Sequence, residues 1–329
     1  MDFFTSIEIP DPVVRISYQD QIMLFGSCFA ESMGNRLSEH KFNVDVNPFG
    51  VLYNPLSISK AIHALLSPAL KTKDDLFFHN GLFHSFTHHS NFSATSADVC
   101  IEKINNRMNK AVAHLEKTRY LLITFGTAYA YRLKSKGEIA ANCHKLPAGL
   151  FDHKRLTISE IVDAWSQLLS ILFRQNKQLH VIFTVSPIRY RKYGAHGNQI
   201  SKSILLLAIE EIQRLFPVQT GYFPAYEFML DELRDYRFYA EDMLHPSETA
   251  IQYIWERFTE TYLDQSAQQL LTEIKDILKS IHHKPFNPES ESYKQFVIQT
   301  LLKIELLMKK RPYLCFEREI KRLKNNLSE

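Results

Sequence analysis

The sequence predicts an α/β protein: a parallel sheet with helices on both faces, followed by a helical appendage. Three observations carry this expectation. Short runs near 21–25, 119–125 and 179–185 are apolar throughout, as strands buried on both faces must be. Stretches with helical spacing separate them, the alternation that builds parallel sheets. Beyond about residue 265 apolar stripes at helical spacing continue with no further strand signal.

The elements follow in order. Residues 1–20, with Pro10 and Pro12, read as an extended lead-in. Ile22-Met23-Leu24-Phe25 is a strand that closes in Gly26-Ser27. Phe29, Met33 and Leu37 lie four apart and predict a helix over about 29–40. Residues 47–55 are rich in turn formers. Asn54 then caps a helix whose first residue is Pro55. Residues 76–93 alternate apolar and polar, as in Leu82-Phe83-His84-Ser85-Phe86, and predict a hairpin or a loop insertion. Ile101, Ile104, Met108 and Leu115 mark an amphipathic helix, and the strand at 119–125 ends at Gly126. Thr157-Ile158-Ser159-Glu160 is a capping box that opens a helix with Ile161, Trp165, Leu168, Leu169 and Leu172 on its core face. The strand at 179–185 closes in Ser186-Pro187. A helix near 202–216, a short strand at 218–223 and a helix carrying Ala250, Ile251, Ile254, Trp255 and Phe258 complete the first unit, 1–264. The second unit, 265–329, has two stripes: Leu270, Leu271, Ile274, Leu278 and Ile281, then Phe296, Val297, Leu301, Ile304 and Met308. Pro285, Pro288 and Pro312 punctuate them. This tail is expected to dock on the sheet unit or to join copies into a homo-oligomer.

Composition narrows the function classes. Only 10 Gly and 13 Pro in 329 residues argue against extended disorder. No run approaches the ~18 apolar residues that span a bilayer, so no membrane partner is expected. Met1-Asp2-Phe3-Phe4-Thr5 lacks the basic region and apolar core of a signal peptide. Cys28, Cys100, Cys143 and Cys315 are scattered without C-x-x-C spacing, as reduced thiols are. A cytoplasmic protein is the expectation. Residues 266–329 hold 12 Lys and Arg against 8 Asp and Glu, which makes the tail the basic part. Those charges interleave with acids and apolar positions, so they read as solvated helix faces, with no nucleic acid as partner.

The candidate chemistry sits where strands end. Ser27 stands at a strand-to-helix turn, where glycine permits the bend and the helix N-terminus favours negative charge. Far downstream, Asp242-Met243-Leu244-His245 supplies the orienting acid and base of a Ser-His-Asp triad. Gly126 and Ser186 also close strands, and parallel sheets hold their ligands at those ends. Cys28 is a rival nucleophile. Its neighbours Phe25 and Phe29 favour a thiol packed away in their apolar space. His84 and His88 have metal-ligand spacing, but the segment reads as extended and lacks companion ligands. Neither metal nor cofactor is expected. Arg234 and Arg237 flank Asp235 and read as an internal ion-pair network.

Several of these segments resemble one known family. Gly26-Ser27-Cys28-Phe29-Ala30, Asn47-Pro48-Phe49-Gly50, Asn142-Cys143-His144-Lys145, Thr184-Val185-Ser186-Pro187, Ser201-Lys202 and the run from Leu233 to Pro246 are similar to signatures of the GSCFA family, a branch of the SGNH (GDSL-like) esterases. The resemblance covers about residues 20–258. It implies a three-layer α/β/α, flavodoxin-like SGNH fold, with Ser27 as nucleophile and Asp242 and His245 as its partners. It also implies an oxyanion hole from the Ser27 amide, Gly50 and a third donor. The asparagine expected in that third block is replaced by Ala128, so either Asn142 reaches in from the following loop or the site manages with fewer donors. His84, His144 and Lys145 become candidate substrate contacts. The implied activity is hydrolysis of an acyl ester on a small molecule or saccharide. Two alternatives stay open: an O-acyltransferase using the same serine, and a binding protein that has lost turnover.

Overall fold

The structure, a computed structural model, describes residues 5–328; of the expected lead-in, residues 1–4 lie outside the described residues. In chain order the elements are β1 (Gln21–Gly26), α1 (Cys28–Glu39), β2 (Asn43–Val46), α2 (Pro55–Leu66), β3 (Phe77–His79), β4 (Leu82–His84), α3 (Ala97–Leu115), β5 (Thr118–Phe125), β6 (Tyr129–Leu133), β7 (Glu138–Ala140), β8 (Phe151–Arg155) and α4 (Ile158–Gln175). Then come β9 (His180–Val185), α5 (Gly194–Leu215), β10 (Thr220–Tyr222), the single turn α6 (Ala225–Glu227), α7 (Glu248–Tyr262), α8 (Gln265–Ile281), α9 (Glu291–Lys310) and α10 (Glu317–Ser328).

Five strands form one parallel sheet in the order β10-β9-β5-β1-β2. Side chains alternate between its faces, and the alternation divides the core. Ile22, Leu24, Tyr120 and Ile182 face one side, with Phe29, Met33 and Leu37 of α1 and Ile254, Trp255 and Phe258 of α7. Met23, Phe25, Leu121, Ile123, Val181 and Phe183 face the other, against α2, α3, α4 and α5. The result is three layers, α/β/α. From β1 the chain winds outward to β2, then crosses back to β5 on the far side of β1. The winding direction reverses between β1 and β5, which is where such sheets open a crevice at their carboxyl ends.

The local signals act as expected at several points. Asn54 Oδ1 accepts from Ser57 N–H, with Pro55 opening the helix. Thr157 and Glu160 satisfy each other's backbone N–H groups at the start of α4. The alternating segment at 76–93 contains the β3–β4 hairpin, turned by Asn80 and Gly81, both at positive φ as a tight primed turn requires.

Other elements lie outside the sequence reading. β2 has no counterpart in it, nor does the antiparallel sheet β7-β6-β8 inserted after β5. Helix α5 starts at Gly194 rather than near 202, and α10 is a third tail helix. The tail packs on the sheet unit. Leu270, Leu271, Ile274, Val297, Ile304 and Leu323 belong to the same buried cluster as Leu37 and Trp255. Lys41 ties α10 to the end of α1, with Nζ 2.5 Å from Glu319 Oε1 and 4.9 Å from the Phe316 ring centre. Among the described residues no helix is long and apolar enough to cross a membrane.

Candidate active site

Ser27 leaves β1 at the crevice. The residue before it must be glycine: Gly26 has φ +150°, and a Cβ there would lie 2.4 Å from Thr124 O. Ser27 is 2% exposed and is the N-cap of α1, its Oγ accepting from Phe29 N–H at 3.4 Å. Its hydroxyl donates to Ser186 Oγ at 3.1 Å. Ser186 ends β9, with its N–H on Phe125 O and its Oγ accepting from Ile188 N–H. Gly126 ends β5 against Ser27: a Cβ there would come within 3.5 Å of Ser27 Cβ. The Gly126 and Thr127 amides both donate to Tyr53 O. Three strand ends thus converge on one hydroxyl.

A pair on α5 locks this convergence, and sequence reasoning gave it no role. Lys202 is 1% exposed, and its Nζ donates to Gly126 O (2.8 Å) and Ser186 O (2.7 Å). No carboxylate pairs with it among the described residues. Burial alone pulls its pKa down, to about 7. Ser201 Oγ accepts from Ala128 N–H (2.8 Å) and bonds Thr127 Oγ1 (3.2 Å). The available signal was a lysine on the face of α5 that also carries Leu205, Ala208 and Ile209.

Asp242 and His245 form a second unit. Asp242 Oδ1 accepts from the N–H groups of Leu244 and His245, and Oδ2 lies 2.5 Å from His245 Nδ1. The bond from the His245 backbone, then that from its ring, then that from Leu244 hold the carboxyl down to about 2. Asp242 is therefore ionised at neutral pH, and Nδ1 carries the donated proton. The loop is closed at its base by a bridge between Tyr239 and Pro246. It is tied to the Ser186 loop through Arg189 N–H on Leu244 O (3.1 Å). His245 and Ser27 share no hydrogen bond among the described residues.

The remaining candidates are occupied elsewhere. The Gly50 N–H donates to Asn47 O in a turn, and its α-carbon abuts His89. Asn142 gives its amide N–H to Ser90 Oγ and takes His144 N–H on its carbonyl oxygen. The Gly50 amide is thus taken up in its own turn, while Asn142 keeps one of its two amide N–H donors unused. His84 is buried inside the hairpin insertion, its ring nitrogens on Ser93 Oγ and His79 O. The His144 ring packs tilted against it, 4.5 Å between centres, and bonds Ser85 O; burial pushes its pKa down to about 4. Both rings brace the insertion against the 142–145 loop. Lys145 is exposed at positive φ. The expectation for Cys28 is corrected. Phe25 and Phe29 are buried, but Cys28 is half-exposed and faces the Tyr53 hydroxyl at 3.8 Å, because it opens α1 on the crevice side. Asp235 Oδ1 accepts from the Arg237 backbone N–H at 2.9 Å, but the Arg237 guanidinium makes only a long ion pair to it, 3.9 Å on the exposed surface, rather than an internal network. Among the described residues no group of three or more His, Cys, Asp and Glu side chains could hold a metal.

Comparisons with known proteins add the family. Among curated proteins none matches. Of solved structures, a carbohydrate esterase family 3 protein from Talaromyces cellulolyticus is similar at 9% identity and a TM-score of 0.35, over 78% of this chain and 99% of that one. A mutant acetyl esterase with acetate ion is similar at 9% identity and 0.35, over 79% and 100%. The acetyl xylan esterase Est2A from the rumen bacterium Butyrivibrio proteoclasticus is similar at 11% identity and 0.31, over 80% and 66%. Residues 274–329 match the C-terminal domain of GSCFA domain proteins. Residues 21–258 match the GSCFA family itself, and the chain belongs to that family.

Proposed function

We propose that this protein is a serine hydrolase of carboxylic esters, with Ser27 as nucleophile, His245 as general base and then acid, and Asp242 as its orienter. One observation carries the reading: the Asp242–His245 pair is tied by the Arg189–Leu244 bond to the loop whose Ser186 holds the Ser27 hydroxyl. Ionised Asp242 fixes the tautomer in which Nε2 of His245 is the free acceptor. The Ser27 hydroxyl turns from Ser186 to that nitrogen, loses its proton and attacks the acyl carbonyl carbon. His245 returns the proton to the leaving alkoxide. Water then gives a proton to His245 as its oxygen bonds the acyl carbon, the Ser27 Oγ–acyl bond breaks, and His245 returns the proton to Ser27 Oγ as the acid leaves. The Ser27 amide is the oxyanion donor carried over from the family resemblance. An acyl-decorated saccharide is the substrate class that resemblance suggests.

The occupied amide of Gly50 and the alanine at 128 favour a second reading, a binding protein with the same fold but without turnover. Losing one oxyanion donor costs ~2.7–4 kcal/mol of transition-state stabilisation. The experiment is labelling with a fluorophosphonate alongside a panel of acyl-ester and acyl-sugar substrates. Labelling at Ser27 with turnover on the panel supports the hydrolase. No label on folded protein overturns it in favour of binding. An acyl group passed to an added alcohol rather than to water would make the same serine a transferase.

A further inference from the structure

Beside the Ser186 turn lies a recess with a chemistry of its own. Its volume is about 120 Å³, and Pro187, Arg189, Arg191, Asn198, Gln199 and Tyr239 line it. No Asp or Glu is in its lining. Asn198 Oδ1 accepts from Tyr190 N–H at 2.9 Å. That partner can only donate, so the oxygen faces it and the NH2 end of Asn198 is left over. Gln199 likewise takes the Tyr226 hydroxyl on its oxygen. Arg189 and Arg191 have neither an ion pair nor a side-chain hydrogen bond among the described residues. Arg189 is half-buried; its guanidinium lies 5.2 Å from the Tyr239 ring centre and 5.9 Å from that of Tyr236. The rings fix its plane without neutralising it. The unused amide and guanidinium ends are donors, beside the Tyr239 hydroxyl, and the two arginines are permanent cations in the fork geometry that suits carboxylate and phosphate.

The recess shares walls with the catalytic groups. Pro187 follows Ser186. Arg189 N–H holds Leu244 O, one residue before His245, and Tyr239 is bridged to Pro246, one residue after it.

We infer that this recess is an oxyanion subsite in which Arg189, with Arg191 and the Asn198 amide, takes a carboxylate or phosphate carried by the ester. The inference rests on the hydrolase reading for its substrate, but its binding step does not. The anion sits on either the acyl side or the alcohol side of the ester, and substrates distinguish the two. Mono-4-nitrophenyl succinate carries it on the acyl group, 4-acetoxybenzoate on the leaving group, and 4-nitrophenyl acetate on neither.

The expected result is a higher kcat/KM for one anionic ester than for the acetate, through KM. In Arg189→Met that ratio falls about tenfold, or about 1.4 kcal/mol. Arg191→Met is the second variant, should the first misfold. In parallel, calorimetry on Ser27→Ala reads the binding of inorganic phosphate and of succinate, with and without Arg189→Met. Loss of either the substrate preference or the anion binding in the arginine variants supports the subsite. Folded arginine variants that match their parents in both readouts overturn it. Anion binding that depends on Arg189 in a protein no fluorophosphonate labels would keep the subsite and sink the hydrolase. Ser27 labelling with no response to either arginine would do the reverse.

Discussion

Where β1, β5 and β9 end, the buried groups are polar: Ser27, Thr127, Ser186, Ser201 and Lys202, each bonded to another or to a turn carbonyl. Where the tail meets α1 and α7, the buried groups are mainly hydrocarbon: Leu270, Leu271, Ile274, Ile277, Leu278 and Ile281 from α8 alone. Apolar burial is non-directional and stabilises in proportion to area. Polar burial returns little net energy and is costly when any partner is missing. Burial in the first region therefore sets geometry, and burial in the second supplies stability. Chemistry belongs to the strand ends, and α8–α10 support them from the far face of α1 and α7.

The largest effect should come from removing the tail. Six α8 side chains at about 1.5–3 kcal/mol each, an upper estimate, already match the 5–15 kcal/mol that keeps a domain folded. Truncation near Gln265 also uncovers Leu37 and Trp255. It should aggregate, change oligomer size or lower Tm sharply by light scattering and calorimetry. A truncated protein with native Tm and size but no activity would put the tail in the active site and collapse the contrast.

Ser27→Ala should do the opposite. Turnover should fall about 10⁴-fold or more, because loss of a triad member leaves only binding and oxyanion stabilisation. Stability should fall by only about 1 kcal/mol, the worth of the lost N-cap. Ester turnover and urea melts measure the two separately. Unchanged turnover would remove the serine from the mechanism.

The same contrast explains what the sequence revealed. The buried strands and the helix stripes were legible because hydrophobic burial writes a period into the chain. So was the Asp242–His245 pair, whose contact is three residues long. β2 was not, because Asn43-Val44-Asp45-Val46 is a half-exposed edge strand with too few apolar positions. Nor were β6–β8, whose Tyr, His, Arg and Lys side chains read as loop. The start of α5 was hidden by Gly194 and Gly197. At the site, the partners of Ser27 are 159 residues away in Ser186 and then, through its carbonyl, in Lys202. No local pattern encodes a buried polar bond between distant turns, and a lysine on a helix ordinarily reads as solvated.

Lys202→Met sharpens the polar side of the comparison. The side chain keeps its length and loses both donors, leaving the Gly126 and Ser186 carbonyls buried and unsatisfied at about 1–3 kcal/mol each. Apolar packing recovers part of this. We expect a loss of about 2 kcal/mol in urea melts and slower fluorophosphonate labelling of Ser27, as the Ser186 turn shifts. Labelling at the wild-type rate would make Lys202 a core residue with no bearing on the nucleophile.

Acid should loosen a third region, the hairpin insertion. Burial lowers the pKa of His144 to about 4 and that of His88 to about 3, from an ordinary 6.5. The unfolded chain binds these protons first, so the stability they represent is complete above about 6.5 and is lost as pH falls through 4 to 3. Each ring contributes a slope of at most about 1.4 kcal/mol per pH unit. Tm measured from pH 8 to 4 should fall below 6.5, and less steeply in His144→Gln. An identical acid slope in that variant would move the titration to other groups.

The smallest effect is expected at Cys28, and it tests how finely the strand-end geometry discriminates. Ser27 and Cys28 are adjacent at the start of one helix, yet their side chains meet different partners. Ser27 is buried on Ser186, while the Cys28 thiol is half-exposed beside the Tyr53 hydroxyl. Cys28→Ala removes that one weak sulfur contact and a small partly buried surface, which is worth under about 1 kcal/mol. Fluorophosphonate should label Cys28→Ala as it labels wild type, and turnover should stay within a few-fold. Because the thiol is accessible, iodoacetamide should modify it, and the bulky adduct beside Tyr53 should slow turnover by crowding the crevice. That slowing should vanish in Cys28→Ala, which separates obstruction from chemistry. If alkylation abolishes activity while Ser27→Ala retains it, the nucleophile is the thiol, and Ser27 is the cap that positions it.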